Sequence, residues 1–455
     1  MHQERQSTSA ISLRPREVGC RVPLTTAALR GWKFYSDVPV ISTRTSCASV
    51  GCRGTLDVNL LRTCIRTVVR RHEALRTRII ALDGSPLQYI DEDGDVQLCV
   101  VEAEGGTGEA LDRKIQLLAT ELMKQKVDLS VGPLFAARLL RFSAREHVLI
   151  CALAPVISDA TSVDILFQEI WTLYDQGARG LPFSLPPVLL QFGDYAVWEQ
   201  KSYAAWRATH EAYWKSRLTG APALRLPGGS AWKGSEGIDS EVACFSFGTL
   251  LGDRLQEVAK RERVLLPLVL CTIYVAVTFR WCAQDESVLW FVSNGRYSPE
   301  LRGTIGFLVN VLNLRISMQP DDTFLSLLRR LKQEFYLALK HHDCNRVFDI
   351  VPELLSEPTD LIFNWLPSCG DGWSPLLNKG QATEAGLRVE QRTFHRTLSA
   401  GFRLAFLSVD AEICVSVAYL SEQFPLQVVE RFVQNLRLFA EKFAQNPATR
   451  IGRYE

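Results

Sequence analysis

The stretch His147–Ile157, "HVLICALAPVI", is apolar almost throughout and runs straight into "SDATSVDILFQEIWTLYDQG". A strand apolar on both faces must be covered on both faces, so it belongs in the middle of a sheet. The residues after it read as a helix start: Thr161 and Asp164 have capping-box spacing, and helical periodicity continues to a stop at Gly177. A buried strand turning directly into a long helix points to a mixed α/β chain.

The rest of the chain repeats that mixture. "DVNLLRTCIRTVVRRHEALRTR" puts Leu60, Leu61, Cys64, Ile65, Val68 and Val69 on one helical face. "QLCVVE" and "PLFAARLLRF" read as strands, and the polar "SARE" reads as a hairpin turn into the apolar strand. "ARGLPFSLPP" is rich in proline and glycine and breaks the pattern, which sets a lobe boundary near residue 180. Beyond it come two helices, "FGDYAVWEQKSYAAW" and one around "HEAYWKSRL". Strands at "VACFSF" and "SVLWFVSN" come next, then a hairpin at "RLAFLSV" and "AEICVSVAYL", and a closing amphipathic helix. The expected organisation is a flexible tail over 1–20, one α/β lobe over 21–180 and a second over 181–455.

Composition narrows the function classes. The chain has 455 residues, 47% apolar, with a formal net charge of +1. No long run of like charge argues for nucleic acid or a membrane surface. The longest apolar run, near Val264–Val277, falls short of the roughly 18 residues a span requires. The polar start has no apolar leader segment, so a cytoplasmic protein is expected, and the initial methionine favours a freestanding one. Twelve cysteines lie without a framework, and the Cys47/Cys52 spacing has no second pair, so reduced buried thiols are expected.

Recognised catalytic signatures are missing. There is no P-loop, G-x-S-x-G elbow, HExxH or CxxC, and "GGTGEALDRK" (105–114) lacks the glycine spacing of a phosphate loop. His341 and His342 read as an exposed helix terminus, and His395 in "TFHRTLS" as a structural histidine with a functional alternative.

From about residue 21 onward the strong short strings resemble one family. "VPLTTAALRGW", "RHEALRTR", "GDYAVWEQ", "NGRYSPELRGTIGFLVNVLNLR" and "ALKHHDCNRVFDIVPEL" are similar, in order and spacing, to the motifs of condensation domains of nonribosomal peptide synthetases. The resemblance implies an α/β fold of two chloramphenicol-acetyltransferase-like lobes in a V, with a tunnel between them. It implies no bound cofactor. The substrates are acyl or aminoacyl groups tethered through phosphopantetheine to acyl or peptidyl carrier proteins, and the usual reaction is amide formation. A monomer, with a tailoring enzyme as an optional further partner, is in keeping with it.

The family's central motif is HHxxxDG, whose second histidine positions the amine or takes its proton. Here the strings on both sides match, and the histidine positions hold Ala154 and Pro155. Asp159 keeps the aspartate position, and Ala160 takes the glycine's. Proline has neither a basic side chain nor a backbone N–H, so it cannot serve as a general base, whose loss costs roughly 10²–10⁴-fold in rate. Proximity of two tethered substrates can still contribute.

The resemblance makes Asp159 the partner of an arginine that shapes the tunnel. Arg296 is the first candidate, with Arg71 and Arg76 as rivals. His395 and Ser158 are the candidates to replace the lost base, while Cys151 reads as a core thiol about 13 Å along the strand from Pro155. Asn310 matches a family asparagine, Trp198 reads as an anchor, and Ala28 replaces the opening motif's glutamine. Two functions are in view: atypical acyl transfer or condensation without the usual histidine, or non-catalytic docking of a carrier protein or tailoring enzyme.

Overall fold

The computed structural model describes residues 12–37, 46–94, 96–103, 109–125, 127–227, 240–342, 346–356, 359–366, 387–396, 402–409 and 412–452. The chain divides into two compact units. The first is Met1–Arg207 with Asn294–Val309 and Gly372–Arg396, and the second is the remainder.

In the first unit the apolar strand is β7 (Glu146–Leu153), central in a five-stranded sheet. On one side it pairs with β2 (Ser46–Arg53), which in turn pairs with β12 (Arg388–Arg396). On the other side lies β6 (Phe135–Arg141), joined to β7 through the expected "SARE" turn, where the Phe142 N–H donates to the Glu146 carbonyl at 2.9 Å. The edge strand β5 (Leu98–Glu102) runs parallel to β6. Val148, Ile150 and Ala152 of β7 pack with Leu111, Ile115 and Ala119 of helix α3 (Glu109–Lys124). Alternation turns Leu149, Cys151 and Leu153 to the opposite face, and all of them are fully buried. Helix α2 (Val58–Arg71) packs on α4 (Ala160–Ala178). A small sheet of β1 (Val22–Pro23), β4 (Ser85–Ile90) and β3 (Thr77–Leu82) completes the unit with helix α1 (Thr26–Asp37).

The second unit is built on a six-stranded sheet. Its order is β10 (Asn310–Ser317), β9 (Glu286–Ser293), β11 (Ile362–Leu366), β13 (Phe402–Val409), β14 (Glu412–Leu420) and β8 (Ser240–Ser246). The helices are α6 (Thr249–Glu262), α7 (Leu266–Cys282), α8 (Phe324–Leu339) and α9 (Leu426–Gln445). α7 is the long apolar run, and every residue from Leu268 to Phe279 is buried. Among the described residues no single helix is long and apolar enough to cross a membrane.

Three expectations need correction. The two helices after the proline-rich stretch are one, α5 (Phe192–Leu218), because neither glycine nor proline interrupts the chain between Gly193 and Gly220. The division between units falls inside α5, not near residue 180, and two later segments return to the first unit. One supplies a sheet strand and the other the loop that holds the head of α4, and such distant pairings leave no mark in local composition. Finally, the tail is not loose up to residue 20. Residues 1–11 lie outside the described ones, but the Arg16 guanidinium donates to Asp194 at 2.8 Å and to Glu73 at 2.9 Å.

Candidate functional site

At the end of β7 the Ala154 N–H still donates to the Leu134 carbonyl at 2.9 Å, which closes the ladder. Pro155, with its fixed φ, then opens a single 3-10 turn over Pro155–Ile157. The Ala154 carbonyl accepts from the Ile157 N–H at 3.1 Å and from the Ser158 hydroxyl at 3.0 Å. Ser158 is thus a buried loop hydrogen-bonder.

Helix α4 is capped by Asp159 itself, whose Oδ1 accepts from the Ser162 N–H at 2.8 Å. This replaces the expected Thr161–Asp164 box: a carboxylate in extended conformation before the first turn is the better cap, favoured also by the helix dipole. Arg296 pairs with the same carboxylate through two bonds, Nη1 to Oδ2 at 2.8 Å and Nη2 to Oδ1 at 3.0 Å. The Leu308 N–H adds a bond to Oδ2 at 3.1 Å. Ser162 Oγ lies 2.8 Å from Asp159 Oδ1 and 2.9 Å from the Gly306 carbonyl, and it accepts from the Gly306 N–H at 3.0 Å. The Arg296 fork is completed by the carbonyls of Asn294 (3.0 Å) and Thr304 (2.9 Å). Both charged side chains are almost wholly buried, 2% and 1% exposed. A buried pair holds geometry when its remaining hydrogen bonds are met, as they are for this carboxylate.

Gly295 is what allows the loop to come so close. It has φ +68°, and a Cβ there would overlap the Leu308 carbonyl. A Cβ on Gly306 would likewise run into the Phe192 ring.

The rival arginines are engaged elsewhere. Arg71 Nε donates to Glu169 at 3.1 Å, and Arg76 donates to the Asp91 carbonyl. Cys151 is wholly buried, and burial pushes its thiol well above the ordinary value; neighbouring Cys47 is pushed up to about 12 by the same cause. Neither is a nucleophile at neutral pH. Trp198 is half-buried, tilted against Tyr195 (5.5 Å between centroids) and edge-on to Trp206 (6.1 Å). Ala28 is fully buried in α1. In the second unit, Asn310 donates to the His342 carbonyl at 2.6 Å and accepts from the Val311 N–H. His395 has a backbone place in β12 opposite Cys47, and its side chain lies outside the described ones.

The His341–His342 pair is not an exposed terminus. His341 stacks on Tyr213 at 3.8 Å, and its Nδ1 lies 3.0 Å from Nδ1 of His210. Burial, then His210 and Lys340, hold its pKa below the ordinary histidine value. The residues that sequence reasoning missed are Ser162, Gly306 and Leu308 around Asp159, and His210 and Tyr213 around His341. Among the described residues no group of three or more His, Cys, Asp or Glu side chains is placed to hold a metal.

A strand-to-helix turn carrying a buried carboxylate–arginine frame is what known proteins can be compared with. The family model "Condensation domain" matches residues 45–455. The chain belongs to the condensation-domain family. Among curated relatives, surfactin synthase subunit 1 of Bacillus subtilis (strain 168) is 25% identical over 99% of the chain. Chondramide synthase cmdD of Chondromyces crocatus is 27% identical over 88% of it. The chain spans only 12% and 10% of those two proteins.

Among solved structures, the X-domain from teicoplanin biosynthesis superposes with a TM-score of 0.82 at 22% identity, covering 98% of this chain and 99% of that one. The same X-domain in complex with OxyB gives 0.80 at 22% identity, covering 98% of each chain. The condensation domain of the Monacolin K polyketide synthase MokA gives 0.77 at 17% identity, covering 96% of this chain and 100% of that one. These likenesses establish the two-lobed, chloramphenicol-acetyltransferase-like α/β fold. In this chain the turn holds Asp159 paired with Arg296 and has no titratable side chain at positions 154 and 155.

Proposed function

We propose that this condensation domain acts in nonribosomal peptide or hybrid polyketide biosynthesis as a recruitment domain. It docks a carrier protein, whose phosphopantetheine arm tethers the substrate, and it brings a tailoring enzyme to that substrate without forming the amide bond itself. The observation that carries this reading is the turn. Ala154 and Pro155 supply no base, the Ala154 carbonyl already accepts two hydrogen bonds, and the Asp159 carboxylate is saturated by Ser162, Arg296 and Leu308. A general base needs a basic lone pair within about 3 Å of the proton it removes. Of this turn's side chains the Ser158 hydroxyl is buried and only weakly basic, and the Asp159 carboxylate is already filled. The X-domain solved in complex with OxyB lends support, as a protein of the same fold with an enzyme partner.

A second reading, atypical acyl transfer or condensation, is favoured by the intact frame of Asp159, Arg296, Ser162 and Gly306. Two tethered substrates held together gain rate from proximity alone.

The deciding experiment loads a donor and an acceptor carrier with acyl and aminoacyl phosphopantetheine, adds the protein, and tracks the intact masses of both carriers. The expected result is carrier binding by titration with no product above the protein-free rate. Product formation would establish the second reading in its place.

A further inference from the structure

His210 and His341 meet inside the second unit. His210 lies in α5 and is 7% exposed, while His341 follows the end of α8 and is half-buried. Their Nδ1 atoms are 3.0 Å apart, and the rings cross at 83°. Tyr213, further along α5, stacks on His341, and Trp214 stands edge-on to Tyr213 at 4.8 Å. The His341 N–H donates to the Ala338 carbonyl at 2.9 Å, which fixes the mounting of the ring at the helix end.

The next residue carries the contact on to β10. The His342 carbonyl accepts from Asn310 Nδ2 at 2.6 Å, and Asn310 Oδ1 accepts from the Val311 N–H at 2.8 Å. Asn310 is the first residue of β10 and lies opposite Ser293 of β9. A short chain of contacts therefore runs from α5, through His341 and His342, to the start of a sheet strand.

A bond between two ring nitrogens needs an N–H on one and a lone pair on the other. Two neutral rings meet this condition, and so does a pair that has taken up one proton. A pair that has taken up two has an N–H on every ring nitrogen, no acceptor, and like charges across a 3.0 Å contact. Groups this close titrate in two linked steps. Burial first, then His210 and Lys340, disfavour the charged form of His341. Arg217, near the Tyr213 hydroxyl, is paired with Glu334. His342 Nδ1 donates to the Leu339 carbonyl at 2.7 Å, a bond that protonation of His342 leaves intact.

We propose that the His210–His341 pair is a pH-operated latch. It is closed while either ring keeps a lone pair at Nδ1, and it then holds the chain after α8 on α5 and the His342 carbonyl on Asn310. It opens when both rings are protonated, and the start of β10 is released.

The test is hydrogen exchange of the whole chain, read by mass spectrometry from about pH 7.5 to about pH 5, with labelling times scaled to the intrinsic exchange rate. Peptides covering Tyr336–His342 and Asn310–Ser317 are expected to lose protection about tenfold or more below about pH 6, while β7 stays protected. H210N supplies an amide that can donate or accept without titrating, and its peptides should stay protected over the whole range. NMR of the wild type labelled with ¹⁵N-histidine, assigned by the signals missing from H341N, should show two rings titrating in linked steps, the second below the ordinary value of 6.5. The latch is refuted if the two peptides stay protected down to about pH 5, if β7 opens together with them, or if H210N opens as the wild type does. Should H210N not fold, two rings that titrate independently of each other refute it on the wild type alone.

Discussion

The Asp159 carboxylate accepts from Ser162, Arg296 and Leu308, so each of its neighbours has a measurable share in holding the turn. Removing one partner of a buried pair leaves the other charge without compensation, at a cost of about 3–5 kcal/mol. Arg296→Ala and Asp159→Ala should therefore each lower stability by that order in chemical denaturation. The double variant should cost less than the two single losses together, because the coupling is lost only once. Ser162→Ala, which removes a hydroxyl shared between Asp159 and Gly306, should cost about 1–3 kcal/mol by the same measurement. Much of this frame is legible in the sequence: Asp159 and Arg296 both sit in motif-like strings, and the geometry meets the expected pairing between them. The reach of Ser162 to Gly306 and the part of Leu308 are not legible, because they are backbone contacts 144 and 149 positions apart in sequence. The cap of Asp159 on Ser162 has ordinary N-cap spacing, but the Thr161–Asp164 box competes with it in the sequence.

At the scale of elements, the loop Asn294–Val309 is as closely fitted as any helix. Gly295→Ala has to remove an overlap with the Leu308 carbonyl and strain a backbone at φ +68°. The expected result is a loss of stability of about 2 kcal/mol or more, read as a lowered Tm. β7 and α4 are legible because an apolar run and a helical period are local signals. The unbroken length of α5 is not. Its middle, Arg207–His210, is polar and blurs the apolar period, while the absence of glycine and proline allows the helix to continue. The proline-rich segment after α4 reads as a boundary between lobes for a similar reason. It breaks the periodicity, yet side chains from α2 and α4 hold it within the first unit.

For the molecule as a whole, pH acts in part through two histidines, the buried His147 and the half-buried His341. Burial is the leading cause of the lowered pKa of His341 and of His147. A histidine with a folded pKa below its unfolded value binds more protons when unfolded. Its contribution is complete above pH 6.5, the ordinary histidine value, and is lost as pH falls below it. Stability should therefore drop on acidification from neutral pH, and His341→Phe should flatten that drop in denaturation curves taken between about pH 7 and pH 5. His341 cannot be assigned from sequence, because it follows the end of α8 and its partner His210 lies 131 residues earlier, in α5.

The three-part make-up of the first unit has a consequence for synthesis. Chains are made from the N-terminus, and domains generally fold as they emerge. Here the segment up to Arg207 leaves the ribosome with a sheet that still lacks β12, and with an aspartate whose arginine is 137 residues away. A nascent chain at that stage carries an unpaired edge at β2 and a carboxylate awaiting its counter-charge. The carboxylate meets its counter-charge once Asn294–Val309 has been added, but the edge is not covered until β12 has been, by which time most of the second unit has also been translated.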